Sequence, residues 1–170
     1  MRSEVRISGS GGQGVISAAN ILAKCAVSEG LYATQTQSYG PASRGGVSKG
    51  EVVISDEPID YPFVRVPDIL VVMSQEAYKS YISDVEEGTI VIIDPDLVKG
   101  EGLGVKATSA AGEAGSRQNA NMVMLGALAS FLDFIDTDAL REEVKRRFPK
   151  GKKNLISFDA GVQIGINLGK

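Results

Sequence analysis

Gly9-Ser10-Gly11-Gly12-Gln13-Gly14 is the stretch whose reading decides the fold. Before it, Glu4–Ser8 (EVRIS) has the composition of a short strand. After it, Val15, Ala18, Ala19, Leu22, Cys25 and Ala26 recur at helical spacing and predict a helix over Val15–Glu29 with one buried face. Gly30 stands where a helix C-cap belongs. A strand, a glycine turn and a helix, in that order, open an α/β unit. Glycines 9, 11 and 14 match G-x-G-x-x-G, a pattern that uses glycine for positive φ and close backbone approach. The N–H groups at the helix start then face outward, where the helix dipole favours an anion.

The alternation continues along the chain. Strands are predicted over Leu31–Thr36, Val47–Ser55, Asp68–Met73 and Thr89–Ile93, with a weaker one at Val105–Ala107. Helices are predicted over Gln75–Ile82, Gln118–Leu132, Ala139–Arg147 and Leu155–Leu168. In the second of these, Met122, Leu125, Leu128, Ala129 and Leu132 form the inner side. Asp136 or Thr137 caps the third. Internal glycines weaken the last. The expected architecture is a single α/β domain over residues 1–170: a three-layer, open, mostly parallel sheet with helices on both faces, Rossmann-like.

Composition removes several chemistries. The 170 residues include no histidine and one cysteine. An internal disulfide, a cysteine-based zinc site and a four-cysteine iron–sulfur cluster are therefore beyond this chain alone. Cys25, on the apolar face of the first helix, reads as a buried structural thiol. Asp94 and Asp96 could hold Mg²⁺, but they read first as a strand-end turn. No apolar run approaches the ~18 residues of a membrane span, and MRSEVRISGSGG lacks a signal core, so a cytoplasmic protein is expected. The net charge of −3 is uneven: Arg141–Lys153 holds seven basic and two acidic residues, hence +5, and the remainder carries −8. That run reads as a solvated helix end and loop, with an anion or partner contact as the alternative. With Phe148 its only aromatic, it offers no platform for nucleic acid.

The glycine loop alone does not name a ligand. A nicotinamide site needs an acidic residue about 20 positions on, and no Asp or Glu lies between Glu29 and Glu51. No Gly-Lys-Ser/Thr follows, so it is not a P-loop. Three readings stay open: tight packing or subunit contact, a phosphate group, or NAD or FAD. A second loop narrows them. Gln37-Ser38-Tyr39-Gly40-Pro41-Ala42-Ser43-Arg44-Gly45-Gly46 should lie just beyond the carboxyl end of the second strand, the edge where open α/β sheets take ligands. Its Gly-Pro and Gly-Gly pairs turn tightly, and Arg44 is a fixed charge suited to carboxylate or phosphate.

Taken in order, Gly-x-Gly-Gly-Gln-Gly, Ser-Tyr-Gly-Pro-x-x-Arg-Gly-Gly, Asp68-Ile-Leu-Val-Val-Met and Asn119-Ala-Asn121-Met122 resemble the gamma subunit of 2-oxoacid:ferredoxin oxidoreductases. The resemblance spans roughly residues 4 to 130. It implies the domain III type of α/β fold found in pyruvate:ferredoxin oxidoreductase, and a chain inactive alone. Its partners would be alpha and beta subunits that form a thiamine diphosphate–Mg²⁺ site, and a delta subunit or ferredoxin-like domain with [4Fe–4S] clusters. Ferredoxin would be met indirectly, and coenzyme A is linked to the gamma chain. The 2-oxoglutarate enzymes are the best match, then those for pyruvate, branched-chain 2-oxoacids and indolepyruvate. The residues it marks for cofactor or subunit contact are Gly9, Gly11, Gly12, Gln13, Gly14, Ser38, Tyr39, Gly40, Pro41, Arg44, Gly45, Gly46 and Asn121. No catalytic or metal-binding residue is assigned. The phosphates of coenzyme A would lie on the N–H groups of Gly11 to Gly14, with Arg44 as counter-charge. The family loop often has Glu where this chain has Ala42, which removes a nearby carboxylate partner for Arg44. The competing readings are a free-standing Rossmann-type oxidoreductase and a homodimer built through the same loops.

Overall fold

The computed structural model describes residues 1–39 and 46–169. Six strands form one sheet: β1 (Arg2–Ser10), β2 (Tyr32–Tyr39), β3 (Val47–Ser55), β4 (Ile69–Val72), β5 (Ile90–Ile93) and β6 (Leu103–Gly104). Their order is β2-β3-β1-β4-β5-β6. β1, β4, β5 and β6 are parallel, β3 is antiparallel to both neighbours, and β2 therefore runs with β1. The mostly parallel sheet is as expected, with one departure: β3 runs antiparallel to its neighbours and inserts between β1 and β2.

The helices are α1 (Val15–Ser28), α2 (Gln75–Tyr81), α3 (Ala107–Glu113), α4 (Ala120–Ala129), α5 (Thr137–Arg147) and α6 (Lys152–Leu168). They cover the two faces unequally. Val5, Ile7, Val52, Ile54, Ile69, Val71 and Ile92 point to the face packed by α1 and α4 and share the large core. Leu70, Val72 and Ile93 point the other way, into a small core closed by Ala77 and Tyr78 of α2.

α4 has no solvent face. Every residue from Ala120 to Ala129 is buried, because α6 closes over its outer side. The sequence periodicity predicts one inner side; the structure buries all sides. α6 reaches this close through glycine. A Cβ at Gly161 would strike the Val123 carbonyl, one at Gly126 the Phe158 carbonyl, and one at Gly165 would lie 2.6 Å from the Ala127 carbonyl. The glycines that weaken the helix prediction are the ones that let the two backbones touch.

Two further corrections concern residues 94–113. The last strand is Leu103–Gly104 rather than Val105–Ala107, and Ala107 opens a helix that the sequence did not announce. α3 has no side-chain cap of its own. Asp94 accepts from the Thr108 N–H at 3.0 Å, and Asp96 from the Ser109 N–H at 2.8 Å. The two acids thus serve as remote caps for orphan donors of a helix start. Among the described residues, no group of three or more His, Cys, Asp or Glu could hold a metal ion.

The basic run also resolves into local structure. Lys145, Arg146 and Arg147 end α5, where the helix dipole favours cations, and Asp136 caps its start. Arg141 makes a two-pronged contact with Asp159 at 2.8 and 3.0 Å, joining α5 to α6.

Adding one methyl at the α4–α6 contact should be costly. Alanine is the better helix former by about 1 kcal/mol, yet overpacking a core costs up to about 3 kcal/mol. Gly161→Ala is therefore expected to lower the unfolding free energy by about 2 kcal/mol in urea titration. Gly11→Ala, where a Cβ would meet nothing within 4 Å, is the near-neutral control.

Candidate functional site

The carboxyl ends of β1 and β4 lie side by side, and the chain leaves them in opposite directions across the sheet. That is the switch point where open α/β sheets take ligands. The glycine loop fills the head of this crevice. Gly12 and Gly14 have φ of 87° and 74°, values an L side chain rarely adopts. Gly9 has no room for a Cβ, which would lie 2.5 Å from Gln13 Oε1 and 3.2 Å from Met73 Cβ. Gln13 pins the loop: its Oε1 accepts from the Ser10 N–H at 2.7 Å, and its Nε2 donates to the Met73 carbonyl at 2.8 Å. Asn121, from buried α4, donates to the Gly14 carbonyl at 3.1 Å. The loop, the first strand and the central helix are thereby locked together.

Not every loop donor is free. The Gly11 N–H donates to the Gly46 carbonyl at 3.2 Å, and the Gln13 N–H to Ser10 at 3.2 Å. Among the described residues, the N–H groups of Gly12 and Gly14 have no acceptor. The first-turn N–H groups of α1 add to them, since that helix has no side-chain cap and no acid in its first turn. The donor set for an anion is thus Gly12, Gly14 and the start of α1, rather than the whole run from Gly11 to Gly14.

Two hollows flank the loop. One, of 240 Å³, lies between Gly11, Gly12, the start of α1, Tyr39 and Ser48. The other, of 280 Å³, lies between Gly12, Gln13, Met73, Leu97, Thr108 and Arg117. Gly11 and Gly12 each face open space. Of the residues marked from sequence, the structure gathers Gly9, Gly11, Gly12, Gln13, Gly14, Tyr39, Gly46 and Asn121 at this end of the sheet. Ser38 belongs to the opposite face: it pairs with Lys49, whose neighbour-but-one Glu51 points toward α2. Gly40, Pro41, Arg44 and Gly45 lie outside the described residues. Arg117, Thr108 and Leu97 were missed. Arg117 sits in a short 3-10 turn (Arg117–Asn119) before α4 and carries no local motif. Only the packing of α3 beneath it turns it toward the loop.

The topology also bears on the dinucleotide reading. In that fold the second strand adjoins the first and carries the ribose-binding acid at its end. Here β3 occupies that place and β2 is displaced to the edge. The acid missing from the sequence has no corresponding position in the sheet.

Cys25 plays no part in the site. It is fully buried, and burial, with the Glu29 carboxylate next in effect, pushes its thiol up from 9.0 to about 12. A raised value stabilises the folded chain below pH 9.0, and that contribution is lost as pH rises from 9.0 toward 12. The native protein at pH 8 is expected to resist a thiol reagent such as DTNB until it is unfolded in guanidinium; fast native labelling would contradict this burial.

Comparison with known proteins supports a single family. Residues 4–164 match the model of the pyruvate ferredoxin/flavodoxin oxidoreductase family. A 2-oxoglutarate synthase subunit, KorC, of Methanothermobacter marburgensis is 46% identical, covering 96% of this chain and 97% of its own. The crystal structure of a keto/oxoacid ferredoxin oxidoreductase gamma subunit from Geobacter sulfurreducens superposes with a TM-score of 0.84 at 34% identity, covering 97% of this chain and 99% of that one. The fold recurs, at a TM-score of 0.88 and 24% identity, in a 2-oxoglutarate:ferredoxin oxidoreductase from Magnetococcus marinus, covering 98% of this chain and 31% of that one. This chain belongs to the pyruvate ferredoxin/flavodoxin oxidoreductase family, as a protein similar along its length to the separate gamma subunits.

Proposed function

We propose that this chain is the gamma subunit of a multi-subunit 2-oxoacid:ferredoxin oxidoreductase that converts 2-oxoglutarate to the acyl-coenzyme A and reduces ferredoxin. The observation that carries this is the 46% identity with a 2-oxoglutarate synthase subunit over nearly all of both chains. Its chemistry agrees. With no histidine and one inert thiol, the chain cannot assemble an iron–sulfur cluster by itself. Thiamine diphosphate, Mg²⁺ and [4Fe–4S] clusters are assigned to alpha, beta and delta partners, with ferredoxin meeting the delta side. No helix among the described residues is long and apolar enough to cross a membrane, and the complex is assigned to the cytoplasm.

Within that complex, the glycine loop is assigned to coenzyme A. The residues present fit an anionic, phosphate-bearing group: Gly12, Gly14 and the uncapped start of α1 offer donors, and Gly11 and Gly12 leave room for approach. Coenzyme A supplies the thiol that carries the acyl group away. This chain's own residues bind and orient: Gln13 and Asn121 hold the loop in shape, and Tyr39 walls one side.

Gly11 gives the cleanest test, since a side chain there enters open space without backbone strain. With the reconstituted complex, dye reduction by 2-oxoglutarate should depend on coenzyme A. Gly11→Leu should raise KM for coenzyme A about tenfold while leaving KM for 2-oxoglutarate unchanged. An unchanged coenzyme A KM sinks the loop assignment alone. A complex that turns over pyruvate but not 2-oxoglutarate sinks the substrate.

A further inference from the structure

β2 is the outermost strand of the sheet, and among the described residues no further strand pairs with its outer edge. β2 is eight residues long, ends the sheet, and reads Tyr32-Ala-Thr-Gln-Thr-Gln-Ser-Tyr39. Natural edge strands are protected by charge, proline, a bulge or a covering element. β2 carries no charge and no proline, and it pairs with β3 residue for residue from Tyr32 to Tyr39 without a bulge. Its exposure rises toward the glycine-loop end, where Gln37, Ser38 and Tyr39 are all exposed. Tyr39 is 67% exposed and Tyr32 is 49% exposed, so an aromatic ring stands uncovered at each end.

The hydrogen-bond phase of the ladder shows which groups are unpaired. Asp56 N donates to the Met1 carbonyl and Gly11 N to the Gly46 carbonyl, so the even residues of β3 face β1. The odd residues of β3 then face β2, and their partners there are the even residues: Thr34 opposite Val53, Thr36 opposite Glu51. The main-chain N–H and C=O groups of Ala33, Gln35, Gln37 and Tyr39 are left facing outward, as a ready template for another strand.

We propose that β2 pairs antiparallel with β2 of a second copy of this chain, joining two six-stranded sheets about a twofold axis at Gln35 or Thr36. The twofold demands that paired residues share a face, so their numbers must sum to an even value. Both central registers meet that demand with matched chemistry. An axis at Gln35 sets Gln35 against Gln35 and Thr34 against Thr36. An axis at Thr36 sets Thr36 against Thr36 and Gln35 against Gln37. Threonine and glutamine pairs stabilise cross-strand contacts, and no like charges meet in either register. A strand without charge has no electrostatic means to select a foreign partner, and it is complementary to itself. Antiparallel pairing also sends the two glycine loops to opposite ends of the joined sheet, so both stay accessible.

The lone buried Cys25 makes the test clean, because the native chain offers no surface thiol. The purified full-length chain should sediment as a dimer. Gln35→Cys or Thr36→Cys should give a disulfide-linked dimer on mild oxidation, with paired Cα atoms about 5 Å apart, while the unmodified chain gives none. Gln35→Lys with Gln37→Lys should weaken dimerisation at least about tenfold without changing the circular dichroism or melting of the fold. A monomeric chain with neither cysteine variant cross-linking overturns the proposal, as does a double-lysine variant that stays dimeric. A monomer whose double-lysine variant fails to enter the multi-subunit complex also overturns it, and gives the edge to a strand of another subunit. Failure here leaves the assignment as a gamma subunit standing, since that rests on assembly and turnover.

Discussion

The molecule is organised around a helix that has lost its surface. α4 is buried on every side, packed against α1 and α6, and its contact with α6 is made nearly at backbone distance. Such a helix cannot slide or rotate without opening voids on two fronts, because cores are close-packed. Asn121, in its first turn, reaches the Gly14 carbonyl and so passes that rigidity to the glycine loop. The loop's shape is therefore a consequence of packing in the centre of the protein. Glycine at 126, 161 and 165 sets the height of α6, and glycine at 14 sets the distance from α4 to the loop.

The thin face of the sheet is held differently. Arg6 and Glu51 oppose each other on adjacent strands and are each under 6% exposed. Their 2.7 Å contact is extended by Asp84, which pairs with Arg6, and by Lys49, which pairs with Glu51. Tyr81 lies over the Arg6 guanidinium at 5.0 Å, and desolvation raises its hydroxyl above its usual value. A buried pair of this kind adds little net stability, but losing one partner leaves an expensive bare charge. Its effect is to fix where α2 and the following turn dock on β1 and β3. One face thus depends on dispersion and close packing, the other on a few satisfied charges.

Glycine, 20 of the 170 residues, has three uses here. Gly12, Gly14 and Gly30 supply positive φ. Gly9, Gly50 and the glycines of α4 and α6 permit contact, Gly50 by letting α1 rest on β3 against Ala19. Gly11 and Gly12 leave open space beside a helix start that has no cap. Only the third use points to a ligand, and one motif contains all three. This is why G-x-G-x-x-G by itself left packing, phosphate and dinucleotide readings open.

Local sequence determined the strand–loop–helix opening, the buried face of α1, the narrowing of the α5 cap to Asp136 or Thr137, and the two apolar strands β4 and β5. Each of these depends on residues within a turn or two of one another. The ordered pair of glycine motifs also carried the family, because together they are rarer than either alone. Tertiary structure decided the rest. It inserted β3 between β1 and β2, where long-range pairing outweighs any local signal. It created α3 by capping it with Asp94 and Asp96 from a distant turn. It turned the glycines of α6 from helix breakers into contact points, and it brought Arg117 to the loop. The physical reason is the same in each case: caps, close approaches and strand order are satisfied by partners far along the chain, and sequence periodicity reports only on neighbours.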